Sequence, residues 1–137
     1  MSDDKLFKLE IVTPQKNVFS GSVESFAAPG TSGGFQILRD HAPFLTTISV
    51  GEVKLRDESG NETVYSTSGG FVEVSSNNVT FLADTAERKD EIDVDRARNA
   101  KARAEERLSK KEAGTNVERA RTALARAVNR LKVTDAL

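Results

Sequence analysis

Apolar side chains fall mostly on every second position through residue 90, and at three- and four-residue spacing after it. A period of two belongs to strands with one buried face, and a period near 3.6 belongs to helices. A chain with both in succession is neither a uniform sheet nor a uniform bundle. The change falls in "EIDVDRARNA", Glu91 to Ala100. The chain therefore divides into a β domain, residues 1–90, and a helical domain, residues 91–137.

In "LFKLEIV", Phe7, Leu9 and Ile11 share one side of a strand, and Leu6, Lys8 and Glu10 the other. Short runs of the same kind follow at "SVESFAA", "GFQIL", "FLTTIS", "GEVKLRD", "ETVYSTS", "GFVEVSS" and "NVTFLAD". Gly, Asn, Pro and Ser clusters separate them, and "ESGNE" reads as a hairpin loop. Many short antiparallel strands joined by such turns predict a sandwich or flattened barrel.

Beyond residue 90, Asp93 is placed to cap a helix whose stripe is Ala97, Ala100, Ala104 and Leu108. "KKEAGTN" interrupts it with Gly114, and Thr115 or Asn116 is placed to cap a second helix. That helix carries Val117, Ala120, Leu124, Ala127 and Leu131 on one face. The pattern predicts an antiparallel helical hairpin. Its seam is mostly methyl groups, so at about 25 cal/mol per Å² it is weak. Such a hairpin is expected to separate from the β domain and to adopt more than one arrangement.

Charge follows the same division. Residues 1–90 hold 8 Lys and Arg against 13 Asp and Glu, a net −5, while residues 91–137 hold 12 against 8, a net +4. The chain has no cysteine and one histidine, His41, which removes disulfides, thiolate metal sites and multi-histidine centres. No apolar run approaches the roughly 18 residues of a membrane span. The acidic "MSDDKLFKLE" opening lacks a signal-peptide pattern, so "NET" and "NVT" read as chance glycosylation matches.

Catalytic constellations are wanting. "GTSGG" is not followed by Gly-Lys-Ser/Thr or by a helix, and "DVD" lacks the Gly and distal Glu of a calcium loop. His41 beside Pro43 in "DHAP" is either a structural hydrogen-bonding residue or a contact on an interface loop. The arginines leave two readings as well. Arg96, Arg103, Arg126 and Arg130 are either solvated or converge into a polyphosphate clamp. Arg126 and Arg130, an i, i+4 pair of like charge, repel unless an anion compensates.

"LEIVTPQKNVFSGSVESFAAPG", "ILRDHAPFLTTISVGEV", "STSGGFVEVSSNNVTFLADTAER" and "IDVDRARNAKARAEERL" stand in the order of a known family. Over essentially its whole length the chain resembles the epsilon subunit of the F-type rotary ATP synthase. The resemblance implies a mainly β fold with an α appendage: a sandwich of about ten strands, then the hairpin. It implies a non-catalytic rotor subunit that helps couple proton flow to ATP synthesis. The sandwich would rest on the gamma subunit and the c-subunit ring, around Arg39, His41 and Pro43. The helices would reach the catalytic beta subunit and hinder ATP hydrolysis. The complex would lie on the cytoplasmic face of the bacterial plasma membrane, with no inserted segment in this subunit.

Some bacterial members bind ATP through Ile or Leu, Asp, two variable residues, Arg and Ala. Here these are Ile92, Asp93, Arg96 and Ala97, with Glu87 before them and Arg103, Arg126 and Arg130 at the later basic positions. ATP is thus implied as a regulatory ligand, and no cofactor as a requirement. The family's acidic residue in the ring-contact loop is Gly34 here, and Arg39-Asp40 replaces its Pro-Gly. The rival reading is a nucleic-acid-binding module with a basic helical hairpin, against which stand the acidic β domain and scarce aromatic residues.

Overall fold

The computed structural model describes residues 5–110 and 114–137, which form two compact units divided between Arg88 and Lys89. The first is built from nine strands: β1 (Phe7–Val12), β2 (Asn17–Gly30), β3 (Gly33–Ile37), β4 (Phe44–Ile48), β5 (Gly51–Asp57), β6 (Glu62–Thr67), β7 (Gly70–Ser75), β8 (Asn78–Ala83) and β9 (Ala86–Arg88). The second holds one 3-10 turn (Lys89–Glu91), α1 (Val94–Lys110) and α2 (Val117–Val133).

Strands neighbour one another in the order β1-β8-β7-β4-β2-β5-β6-β9, β3 pairs β2, and β1 also pairs β2. All pairings are antiparallel except β1 with β8. Strand β2 accounts for nine strands where about ten are implied. Its first half pairs β1, and its second half pairs β3 and β5 across a register shift between Val23 and Ser25. One long strand thus serves both layers, because a bulge bends it from one to the other.

The period-two pattern of β1 is realised: Phe7, Leu9 and Ile11 are buried and Lys8 and Glu10 exposed. Between the layers pack Val23, Phe26, Val53, Leu55, Val72 and Phe81, with the Phe26 and Phe81 rings 6.0 Å apart. "ESGNE" is a hairpin loop in which Asp57 Oδ1 accepts from the Ser59 and Asn61 amides at 2.9 and 3.0 Å. The "SGG" glycines are required by close approach: a Cβ on Gly70, at φ +147°, would strike the Leu82 carbonyl oxygen.

Strand β9 had no signal in the sequence reading. It is three residues long, and its anchor is polar. The Thr67 hydroxyl donates to the Thr85 carbonyl at 2.7 Å, and the Ser68 amide to the Thr85 hydroxyl at 3.1 Å. These bonds bring Ala86–Arg88 alongside β6.

In the second unit the helices form the expected hairpin. Ala97 and Ala104 of α1 and Ala120, Ala127 and Leu131 of α2 are buried, while Ala100, Leu108 and Leu124 are half-buried. Val117 departs from its expected place. It is exposed, because it opens α2 where the chain arrives from the connection. Asn116, rather than Thr115, caps α2, its Oδ1 accepting from the Arg119 amide at 3.0 Å. Gly114 takes φ +88° in the connection, and the rest of the breaker stretch, residues 111–113, lies outside the described residues.

Candidate functional site

Asp93 opens α1 as its cap. Its Oδ1 accepts from the Arg96 amide at 3.1 Å, and its carbonyl accepts from the Ala97 amide at 3.0 Å. Ile92 and Ala97, either side of this cap, are buried. The spacing of Ile, Asp, Arg and Ala is therefore the spacing of a helix start. The two apolar members face inward, the carboxylate satisfies an orphan amide, and the arginine side chain is left exposed.

Arg96 and Arg103 each stand one residue before a buried alanine of α1, Ala97 and Ala104. Arg126 and Arg130 each stand one residue before a buried residue of α2, Ala127 and Leu131. At ~100° per residue, one step before the seam points to the same side of both helices when they run antiparallel. All four predicted arginines thus project from one edge of the hairpin. Arg96, Arg103 and Arg126 make no ion pair among the described residues, and Arg130 is half-buried. On the same helices Arg98, Lys110 and Arg121 pair instead with Asp95, Glu106 and Glu118. Glu87 belongs to β9 of the first unit, opposite Ser66.

Two arginines absent from the sequence reading share that edge. Arg107 precedes Leu108 and Arg119 precedes Ala120, by the same single step. The signal was available in the sequence as a recurrent Arg-Ala or Arg-Leu dipeptide at seam positions.

In the first unit, Arg39, His41 and Pro43 lie between β3 and β4. The His41 ring donates from Nδ1 to the Ala42 carbonyl at 2.7 Å and rests against Phe44, with ring centroids 5.6 Å apart. Arg39 Nε lies 3.9 Å from Asp40 Oδ1, and Pro43 is exposed. A cleft of about 460 Å³ nearby takes in Lys5, Glu24, Arg39, Asp40 and Arg56, with both signs of charge. On another face Phe71, Leu82 and Val12 are register neighbours across β7, β8 and β1, and Leu45 stands on β4. Leu45 and Leu82 are 60% and 53% exposed, and Leu82 adjoins the exposed Phe71. The sequence reading did not single out this row, because period two does not say which outward residues adjoin across strands. Among the described residues, no group of His, Asp and Glu could hold a metal ion.

The family "ATP synthase, Delta/Epsilon chain, beta-sandwich domain" matches residues 6–89, and its "long alpha-helix domain" matches residues 90–135. The chain belongs to the ATP synthase delta/epsilon family. The ATP synthase epsilon chain of Pelotomaculum thermopropionicum is 51% identical over 108 residues, 79% of this chain and 80% of that protein. That of Desulforapulum autotrophicum is 45% identical over 106 residues, 77% of this chain and 78% of that protein. In folds, the chain is similar to one in a cryo-EM structure of the Euglena gracilis mitochondrial ATP synthase containing OSCP, F1 and the c-ring. The TM-score is 0.73 at 16% identity, covering 96% of this chain and 78% of that one. The Tetrahymena thermophila mitochondrial central stalk and c-ring gives 0.58 at 16% identity, covering 93% and 95%. As a delta/epsilon family member the chain is a non-catalytic, central-stalk subunit of ATP synthase.

Proposed function

We propose that this stalk subunit docks on the gamma subunit and the c-ring through its sandwich, coupling proton flow to rotation. We propose also that its hairpin restrains ATP hydrolysis and senses ATP. The observation that carries the second part is the common edge of Arg96, Arg103, Arg126 and Arg130. Guanidinium forks from two helices facing one side suit the oxygens of a triphosphate. Ile92 supplies an apolar surface for the base, and Asp93 belongs to the base side because it would repel phosphate. The row of exposed Phe71 and Leu82 with half-buried Val12 supports docking on gamma, since its apolar area gains from burial against a partner. The assembly then sits peripherally on the cytoplasmic face of a bacterial membrane. No described helix is long and apolar enough to cross a bilayer.

Energetics make the sensing workable. A ligand confined to the folded hairpin, at 100 times its dissociation constant, adds about 2.7 kcal/mol. Against a seam of methyl groups that increment is large enough to choose the hairpin's arrangement. Titration calorimetry of the whole chain tests it: one ATP site is expected, weakened several-fold by Arg126→Ala or Arg130→Ala. Helicity without ligand should not fall, because either change relieves repulsion within α2. Equal ATP binding by parent and both variants would leave the arginines as solvated charges and end the sensing proposal.

A further inference from the structure

The arginine edge is longer than a nucleotide needs. Both helices have 17 residues, joined by residues 111–116, so the start of α1 stands level with the end of α2. Three rungs result: Arg96 with Arg130, Arg103 with Arg126, and Arg107 with Arg119. From Arg96 to Arg107 the rise is about 16 Å at ~1.5 Å per residue. A triphosphate is too short to reach from the first rung to the third.

The acids avoid this edge. Asp95, Glu105, Glu106 and Glu118 fall on the outer faces or the opposite edge when turned at ~100° per residue from the seam. Among the described residues, Arg96, Arg103, Arg107, Arg119 and Arg126 make no ion pair. These five like charges repel one another, so the edge is set up for an anion whose charge is dense and linear.

We infer that the hairpin binds linear inorganic polyphosphate along all three rungs. The first two rungs are those of the nucleotide reading, and the inference extends that site rather than replacing it. An extended acidic peptide presents carboxylates to one face only every ~6.6–6.8 Å, leaving about half of the guanidinium groups unmatched. Polyphosphate carries charge on every phosphate, and each guanidinium fork takes two of its oxygens. Nucleic acid fits less well, because residues 89–137 contain no Phe, Tyr or Trp to stack on bases.

The test uses the full chain, with long-chain polyphosphate, tripolyphosphate, ATP and polyglutamate as separate probes. Long-chain polyphosphate should bind at least tenfold more tightly than tripolyphosphate, at equal phosphate concentration. Arg107→Gln with Arg119→Gln should erase that advantage and flatten the slope of log K against log salt by roughly 1.4, at ~0.7 per contact. The same double variant should leave ATP affinity within twofold and helicity unchanged. Unaltered polyphosphate binding by the double variant would overturn the inference, and so would polyglutamate binding as tightly at equal charge. If ATP fails to bind while polyphosphate binds with this variant dependence, the nucleotide reading falls and the three-rung site stands.

Discussion

Asp40 and Asn77 hold each other by two hydrogen bonds across 37 positions of sequence. The Asp40 amide donates to Asn77 Oδ1 at 2.7 Å, and Asn77 Nδ2 donates to Asp40 Oδ1 at 3.0 Å. Both residues take positive φ, 63° and 61°, which Asn and Asp tolerate better than most. The pair ties the "DHAP" loop to the β7–β8 turn, fixing Arg39 and His41 at one end of the sandwich. Asn77→Gly keeps the backbone conformation and removes the side-chain bonds. It should cost about 1 kcal/mol by denaturant unfolding, and Asn77→Val, strained at that φ, should cost more. A negligible loss for Asn77→Gly beside a large one for Asn77→Val would show that backbone strain, not the paired bonds, sets the loop.

Truncation after Asp90 should leave a folded sandwich that still joins a gamma-containing complex. The cut spares β9, which covers the edge of β6. Circular dichroism of the truncated chain should keep the strand signal, and the reassembled synthase should hydrolyse ATP faster than with the whole subunit. An unfolded fragment would refute the modularity, and unchanged hydrolysis the restraint by the helices.

His41→Ala should weaken association with gamma more than it lowers fold stability. The ring's partners, the Ala42 carbonyl and Phe44 at the start of β4, lie within three residues of it, and the ring is not part of the buried core. Leu82→Arg, in the exposed apolar row, should weaken assembly further. A large fall in Tm for His41→Ala, with gamma affinity kept, would make the histidine purely structural.

Glu106 on α1 accepts from Lys110 Nζ at 2.7 Å, and that hydrogen bond, with the lysine's charge, holds its carboxyl below the ordinary 4.5. A lowered folded value means the pair's contribution is complete above 4.5 and is lost as pH falls through the folded value. Lys110→Ala should move the Glu106 titration upward, read by NMR, and should weaken the acid dependence of α1 helicity. The pair is exposed, so overall stability near neutral pH should change little. A Glu106 titration unmoved by the substitution would refute the pairing.

Much was legible in order along the chain, because it depends on residues near one another. The alternation in "LFKLEIV", the turn chemistry of "ESGNE", the caps at Asp93 and at Thr115 or Asn116, and the Ala seam each follow from local periodicity and local hydrogen bonding. The sandwich and the helical hairpin followed from these. Arg96, Arg103, Arg126 and Arg130 were legible as candidates, although not as members of one edge.

Tertiary structure decided what depends on partners distant in sequence. A three-residue strand such as β9 has too few side chains for a periodic signal, and the bonds of Thr67 and Ser68 to Thr85 place it. Strand β2 passes between layers because β1, β3 and β5 claim different halves of it, which no local pattern encodes. The Asp40–Asn77 pair and the row of Phe71, Leu82 and Val12 exist only once strands lie in register. The arginine edge arises likewise, because an antiparallel seam turns the same one-residue offset on two helices to the same side.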